Sequence, residues 1–284
     1  MTVPISDLVP ECTSSPGILI VDGNCFLRAR FDALERREKR KDCKPSAPEL
    51  FSGIRMYLEN LKDKVGAQKS IMLFDLGHSE YRIRLFPDYK GDRPEKSKEL
   101  LSFLEEGRTY FKNLVRSDPM RWQAMMFDNM EADDIAAFLV SSFSVLPNLH
   151  LWLVSSDHDW LQLLKEDHVL QVRYSPGCKS NLVWNEKDAD QYFGLPCRQW
   201  PKLSAFTGDG SDHIPSTGIW PRTAREWLEK YDYSLESIFE HEPEAKVREE
   251  EIRRNFELTN LNGKIAAERV SPEEAEYLLA WAEA

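Results

Sequence analysis

The chain has 284 residues, 42% of them hydrophobic and 30% charged, and a net charge of −11. Those values suit a soluble globular protein with an ample core, and no apolar run approaches a membrane span. The acidic total argues against broad attraction to nucleic acid and leaves local basic patches as the electrostatic route to it.

In chain order, residues 18–21 are an apolar run that predicts a buried strand closed by Asp22. Residues 48–64 carry Leu50, Ile54, Tyr57, Leu58 and Leu61 at helical spacing. A second strand is predicted over 70–74, ahead of Asp75, and helices over 95–116 and 132–143. A third strand over 149–154 leads to Asp157, and a short helix follows over 160–165. Residues 169–174 and 182–184 predict a hairpin across Ser175, Pro176 and Gly177. This alternation predicts an α/β fold, a mostly parallel central sheet flanked by helices on both faces. After about Pro196 strand signals stop, and helices are predicted over 198–206, 223–231, 235–239, 244–260 and 272–282. The expected organisation is an α/β core over 1–195 and a helical region over 196–284.

Five cysteines (Cys12, Cys25, Cys43, Cys178 and Cys197) are odd in number and widely spaced. No pair has metal-ligand spacing, so neither zinc nor a disulfide framework is expected, and a reducing cytoplasm is. Residues 1–17 lack a basic stretch followed by an apolar core, so no secretory signal is expected.

Acids recur where strands end. Asp22, Asp75, Asp157 and Asp159 all fall at the C-terminal ends of predicted strands, where parallel sheets carry their sites. One such acid is ordinarily a turn residue, but four are joined by Glu131, Asp133 and Asp134 at a helix start and by Asp209 and Asp212. Acids at a helix start also complement its dipole. A cluster of this size stays ionised only with cations among it, and oxygen-only ligation favours Mg2+ or Mn2+. In an extended stretch Asp157 and Asp159 point the same way, and His158 points elsewhere in a structural role.

Six ordered segments over residues 18–224 carry a family resemblance. They are Val21-Asp22-Gly23-Asn24, Phe74-Asp75, Tyr89-Lys90-Gly91-Asp92-Arg93, Glu131-Ala132-Asp133-Asp134, Ser156-Asp157-His158-Asp159 and Gly208-Asp209-Gly210-Ser211-Asp212-His213-Ile214-Pro215. In these the chain resembles the flap endonuclease and 5′→3′ exonuclease family, including the 5′ nuclease domains of bacterial DNA polymerases and the bacteriophage 5′ exonucleases. The resemblance implies a PIN-like core, a helical arch over about 88–129 and a C-terminal helix–turn–helix for duplex DNA. It implies that Asp22, Asp75, Glu131 and Asp133 hold one Mg2+ or Mn2+ ion and Asp157, Asp159 and Asp209 a second, with Asp134 and Asp212 close by. Lys90 and Arg93 match the catalytic pair that contacts the scissile phosphate.

Expected DNA contacts are Arg82, Arg84 and Lys96 in the basic strip and Ser211, Arg222 and Thr223 in the C-terminal element. Lys96 and Lys98 also fit a solvated helix face, with Asp92, Glu95 and Glu99 interleaved. Phe103, Tyr110, Phe111, Trp122 and Phe127 read mainly as packing residues, as do Phe26 and Phe31. A K+ ion at the helix–turn–helix is implied by the resemblance, but Ser216 and Trp220 stand where the family has glycines. The expected activity is a metal-dependent 5′→3′ exonuclease and flap endonuclease of replication or repair. Its expected partner is DNA with a 5′ end, flap or nick, with an RNA–DNA hybrid and a DNA polymerase as further options. No membrane is expected, a monomer is the default, and the setting is the cytoplasm, or the host cytoplasm for a phage protein. The alternatives are a non-catalytic DNA-junction binder and an RNase-H-like remover of RNA primers.

Overall fold

The computed structural model describes residues 3–4, 16–40, 45–166, 168–173 and 182–284. The described strands are β1 (Val3–Pro4), β2 (Gly17–Asp22), β3 (Lys69–Leu73), β4 (Trp122–Met125), β5 (His150–Ser155), β6 (Val169–Arg173) and β7 (Leu182–Trp184). They form one sheet in the order β1-β7-β6-β5-β2-β3-β4. The run from β6 to β4 is parallel; β7 is antiparallel to β6, and β1 to β7. The predicted hairpin is therefore present, although its Ser175-Pro176-Gly177 turn lies outside the described residues. The chain leaves β2 in one direction through β3 to β4, then returns on the other side as β5. The β2/β5 boundary is thus the point where strand order reverses and a crevice opens at the carboxyl ends.

Strand pleating sorts the core into two layers. Ile18, Ile20, Ile71, Leu73, Leu151 and Leu153 face one way, toward α5 (Ala132–Phe143) and the C-terminal helices. Leu19, Val21, Met72, Phe74, Trp152 and Val154 face the other. That second layer is covered by α1 (Gly23–Arg40), α2 (Ala47–Val65) and α4 (Lys98–Ser117), with α3 (Glu80–Leu85) lying between α2 and α4 in sequence. The predicted helix over 48–64 is α2, opened by a Ser46–Glu49 capping box and closed by Gly66 at φ 71°.

Among the elements that the sequence did not predict are α1, α3 and β4. α1 had no prediction, although Phe26, Leu27, Phe31 and Leu34 recur at helical spacing and pack into the second layer. α3 is too short for periodicity to show. β4 falls within the 88–129 segment that the resemblance assigns to a helical arch, yet it pairs in register with β3. The arch expectation over 88–129 is corrected accordingly. α4 buries Leu100, Phe103, Leu104, Phe111 and Leu114 against the sheet, and the stretch that leads into it, from Phe86 to Ser97, lacks a helix or strand. Phe103, Phe111 and Trp122 are buried core residues, and so is Phe26.

Beyond β7 the chain is helical: α6 (Glu186–Phe193), α7 (Trp200–Thr207), α8 (Pro221–Lys230), α9 (Leu235–His241), α10 (Pro243–Val247), α11 (Glu249–Thr259), α12 (Lys264–Ala267) and α13 (Pro272–Glu283). The helix predicted over 244–260 is broken at Arg248, whose φ of −107° leaves the helical range. Packing does not break at residue 195. Leu203, Phe206, Leu228, Leu278 and Trp281 join the same buried cluster as Ile18 and Leu153. The buried Lys69 ammonium donates to the terminal carbonyls of Trp281 and Ala282, tying α13 to β3. No helix among the described residues is long and apolar enough to cross a membrane.

Candidate active site

A cleft of about 640 Å³ opens at the C-terminal edge of the parallel strands. It is lined by Asp22, Asp75, Glu131, Asp133, Asp157, Asp159, Asp209 and Asp212, eight of the nine acids expected there. Asp22 is the last residue of β2 and is held by its scaffold: Cys25 N–H donates to Oδ1 at 2.9 Å and Ser155 Oγ to Oδ2 at 2.8 Å. Gly23 follows because any Cβ there would lie 2.3 Å from the Phe74 ring. Asp75 Oδ1 accepts from Ala132 N–H at 2.7 Å and so caps the first turn of α5. That places Glu131 and Asp133 beside the strand-end acids. Trp160 Nε1 fixes Asp133 at 2.7 Å. Asp157 Oδ1 accepts from the Asp159 amide at 2.9 Å, and Ser211 donates to Asp209 from both N and Oγ at 2.7 Å.

The acids strain against one another electrostatically. Burial, then Asp75, pushes the Asp22 carboxyl up to about 7. Burial, then Asp157 and Asp209, does the same to Asp159, up to about 7. Burial, with Asp157 and Glu131 beside it, holds Asp133 well above the usual carboxylate range. Such a set ionises fully only when cations join it, and its oxygen donors suit hard divalent ions. Among the described residues, no three His, Cys, Asp or Glu side chains converge as a group able to hold one ion. The donor chemistry fits a divalent ion; the side-chain placement turns oxygens toward scaffold N–H and O–H groups.

A basic strap closes one side. Lys90 adopts φ 55°, a left-handed backbone rare for lysine, and its N–H donates to Asp212 O at 3.0 Å. Lys90 Nζ meets Glu131 Oε1 at 2.8 Å and Asp212 Oδ2 at 3.5 Å. Arg93 Nη2 meets Asp212 Oδ1 at 2.6 Å. The Tyr89 hydroxyl lies 3.1 Å from Glu131 Oε2 and 2.9 Å from Asp212 Oδ2, sharing one proton between two acids. Burial and Glu131 push that phenol far up, so it remains a donor. Burial opposes the charge on Glu131, but Lys90 and Arg82 outweigh it and hold the carboxyl below its usual value.

Two expectations are corrected by burial. Arg82, expected on DNA, is 1% exposed. Its Nη1 and Nη2 make a two-pronged pair with Asp134 at 2.7 and 2.8 Å, and Nη1 also reaches Glu131 at 3.3 Å. Asp134, expected near the metals, has both oxygens taken by Arg82 and does not line the cleft. The i, i+3 spacing of Glu131 and Asp134 is present, but a guanidinium is what lies on that shared face. Arg84 is exposed and pairs with Glu80; Lys96 is exposed and stands outside the cleft lining.

The loop between α7 and α8 is pinned from behind. Asp209 and Ile214 exchange both main-chain hydrogen bonds at 2.9 and 2.8 Å. Buried Asn255 Nδ2 donates to Ala205 O and Pro215 O, and Thr217 Oγ1 to Phe206 O. Gly208, at φ 72°, is required because a Cβ would meet Ile214 O at 2.5 Å. Ser211 lies at the cleft, whereas Arg222 and Trp220 project into solvent, 89% and 77% exposed, and Thr223 is partly buried at the start of α8. The sequence reading did not single out Arg28, Tyr192 and Trp200, which also line the cleft. Their signal was weak: none sits in an acidic motif, and α1 and α6 were not predicted as helices.

The sequence profile described as 5′-3′ exonuclease, N-terminal resolvase-like domain matches residues 17–194. The flap endonuclease of Escherichia phage T5 is 29% identical over 210 residues, which are 72% of this chain and 66% of that protein. DNA polymerase I of Mycobacterium bovis is 25% identical over 264 residues, 88% of this chain; the chain spans only 28% of that relative's length. A crystal structure of the bacteriophage T5 D15 flap endonuclease with DNA and metal ions shares the fold at a TM-score of 0.73 and 24% identity, covering 94% of this chain and all of that one. With its profile match running from β2 through α6, across the strand ends that carry most of the acids, the chain belongs to the 5′-3′ exonuclease family, N-terminal resolvase-like domain.

Proposed function

We propose that this chain is a metal-dependent 5′→3′ exonuclease and structure-specific flap endonuclease that hydrolyses DNA phosphodiester bonds in replication or repair. The observation that carries the reading is the gathering of acids from the ends of β2, β3 and β5, the start of α5 and the loop over 209–212 into one cleft, with Lys90 and Arg93 on its margin. Asp22, Asp75, Glu131 and Asp133 would hold one divalent ion, and Asp157, Asp159 and Asp209 a second, with Mg2+ or Mn2+ the fitting choices. Ions bound there supply charge compensation for the acids and polarise phosphate and water. The chain's own groups do the rest. Lys90 and Arg93 exchange their partners Glu131 and Asp212 for the phosphate of the strand to be cut, Lys90 as a point charge and Arg93 as a fork. Tyr89 and Arg82 keep Glu131 oriented while Lys90 turns to the substrate. The loop over 208–217, pinned by Asn255, and the exposed Arg222 favour a duplex backbone contact on the C-terminal helices.

Incubation with a 5′-labelled flap and a nicked duplex, with Mg2+ and with EDTA, tests the reading. Cleavage restricted to Mg2+, leaving 5′-phosphate and 3′-hydroxyl ends, supports it. Binding without cleavage in Mg2+ would instead make the chain a junction binder on the same scaffold.

A further inference from the structure

One wall of the cleft is aromatic. His158, set between Asp157 and Asp159, stacks on Tyr192 with ring centroids 4.9 Å apart and planes 8° apart. Arg173 Nη1 lies 2.7 Å from His158 Nε2; a guanidinium only donates, so Nε2 accepts and the imidazole is held in one orientation. Trp184 meets both rings edge-on, at 6.5 Å and 5.3 Å. The next residue, Phe193, stacks on Trp200 at 4.4 Å. Arg225 of α8 donates to Phe193 O at 2.6 Å and to Gly194 O at 3.0 Å, clamping the end of α6 that carries Tyr192. Despite this bracing Tyr192 is 53% exposed and lines the cleft. A large ring that packs for stability is normally covered. A ring held rigid yet half open, stacked on the residue between two cleft acids, offers a flat face at low entropic cost to a flat partner.

Resting on the nuclease reading, we propose that Tyr192, stacked on His158, is the platform for a nucleobase flanking the phosphodiester bond that is cut. Stacking on a π-face does not read hydrogen-bonding edges, so the platform accepts any base and discriminates only against an abasic position. It also extends the stacked pair of rings into a third layer, the base, beside Asp157 and Asp159.

The test measures binding of nicked and 5′-flap duplexes with Ca2+ replacing Mg2+, so that affinity is read without cleavage. An abasic nucleotide is placed in turn at each position flanking the bond that the protein cuts in Mg2+. The unaltered protein is expected to bind the abasic duplex about 10-fold more weakly at one of the two positions. Tyr192→Ala is expected to bind base-bearing and abasic duplexes equally weakly, and Tyr192→Phe to behave like the parent. 2-Aminopurine at that position is expected to be quenched by the parent and by Tyr192→Phe but not by Tyr192→Ala. No abasic penalty at either position in the unaltered protein overturns the proposal without any variant. An equal abasic penalty with and without the Tyr192 ring overturns it as well. If no bond is cut in Mg2+, the nuclease reading fails first, which separates the two failures.

Discussion

On the sheet edge, Asp22, Asp75 and Asp157 accept hydrogen bonds from neutral groups: the Cys25 and Ala132 amides, the Ser155 hydroxyl, the Asp159 amide. Around the strap, Glu131, Asp134 and Asp212 face Lys90, Arg82 and Arg93. The two halves of one acidic region are therefore compensated differently. The strap half carries its own cations and stands as a finished ion-pair network. The edge half is oriented but not neutralised, and burial beside Asp75 and Asp157 pushes Asp22 and Asp159 up to about 7. A fold that aims carboxylates and leaves them without fixed counter-charge is arranged for cations from solution.

The largest expected effect tests the edge half. Asp157→Asn keeps the shape of the side chain and removes one charge from the cleft. Flap cleavage under single-turnover conditions is expected to fall by about 10³-fold or more, with DNA binding largely intact. Turnover near the parental rate would show that the uncompensated acids are not the reaction centre.

Next in size is the buried pair of the strap half. Arg82→Met leaves Asp134 and Glu131 buried without their guanidinium, and urea unfolding is expected to show a loss of about 3–5 kcal/mol. Arg82→Met combined with Asp134→Leu is expected to recover much of that loss, because the orphaned charge goes with its partner. Were Arg82 a DNA contact, as the linear pattern of basic residues suggests, stability would hold and only the salt dependence of binding would move.

The comparison also explains what was legible in the sequence. Acids at strand ends were readable because an apolar run of strand length fixes where its last residue lies. Asp22, Asp75 and Asp157 reached the cleft for that reason. Arg82 and Asp134 were misjudged because burial is a property of packing: the Arg82 partner lies 52 positions away and an α11 carbonyl, Leu258 O, lies 176 away. β4 was hidden because Trp122–Met125 is short and its pairing is long-range, and the resemblance placed it within the arch. Tyr192 gave no signal because an exposed aromatic in a polar helix acquires meaning only from the His158 ring stacked on it.

A smaller effect is expected at Lys90, where the two halves touch. Lys90→Met is expected to lower the cleavage rate about 100-fold through lost phosphate contact. It also frees Glu131 from its fixed cation, so half-saturation by Mg2+ is expected at a lower concentration in the variant. A rate loss with an unchanged Mg2+ requirement would mean that Lys90 and the dissolved ion do not compete for Glu131, and the division into two halves would lose its link.

The smallest effect is at Arg222, outside the cleft lining. Its side chain is almost fully exposed and pairs with Glu226 one turn on, a pair that contributes little to stability in water. Arg222→Ala is therefore expected to change unfolding free energy by no more than about 0.5 kcal/mol. If the C-terminal helices grip a duplex, the same substitution should make the slope of log affinity against log salt shallower by about one unit. Arg84→Ala is the matched control, an exposed arginine paired with Glu80 outside the cleft lining. A slope change at Arg222 and none at Arg84 would place the duplex along α8. Equal slopes for both variants would remove the duplex from the C-terminal helices and leave all phosphate contact to the strap.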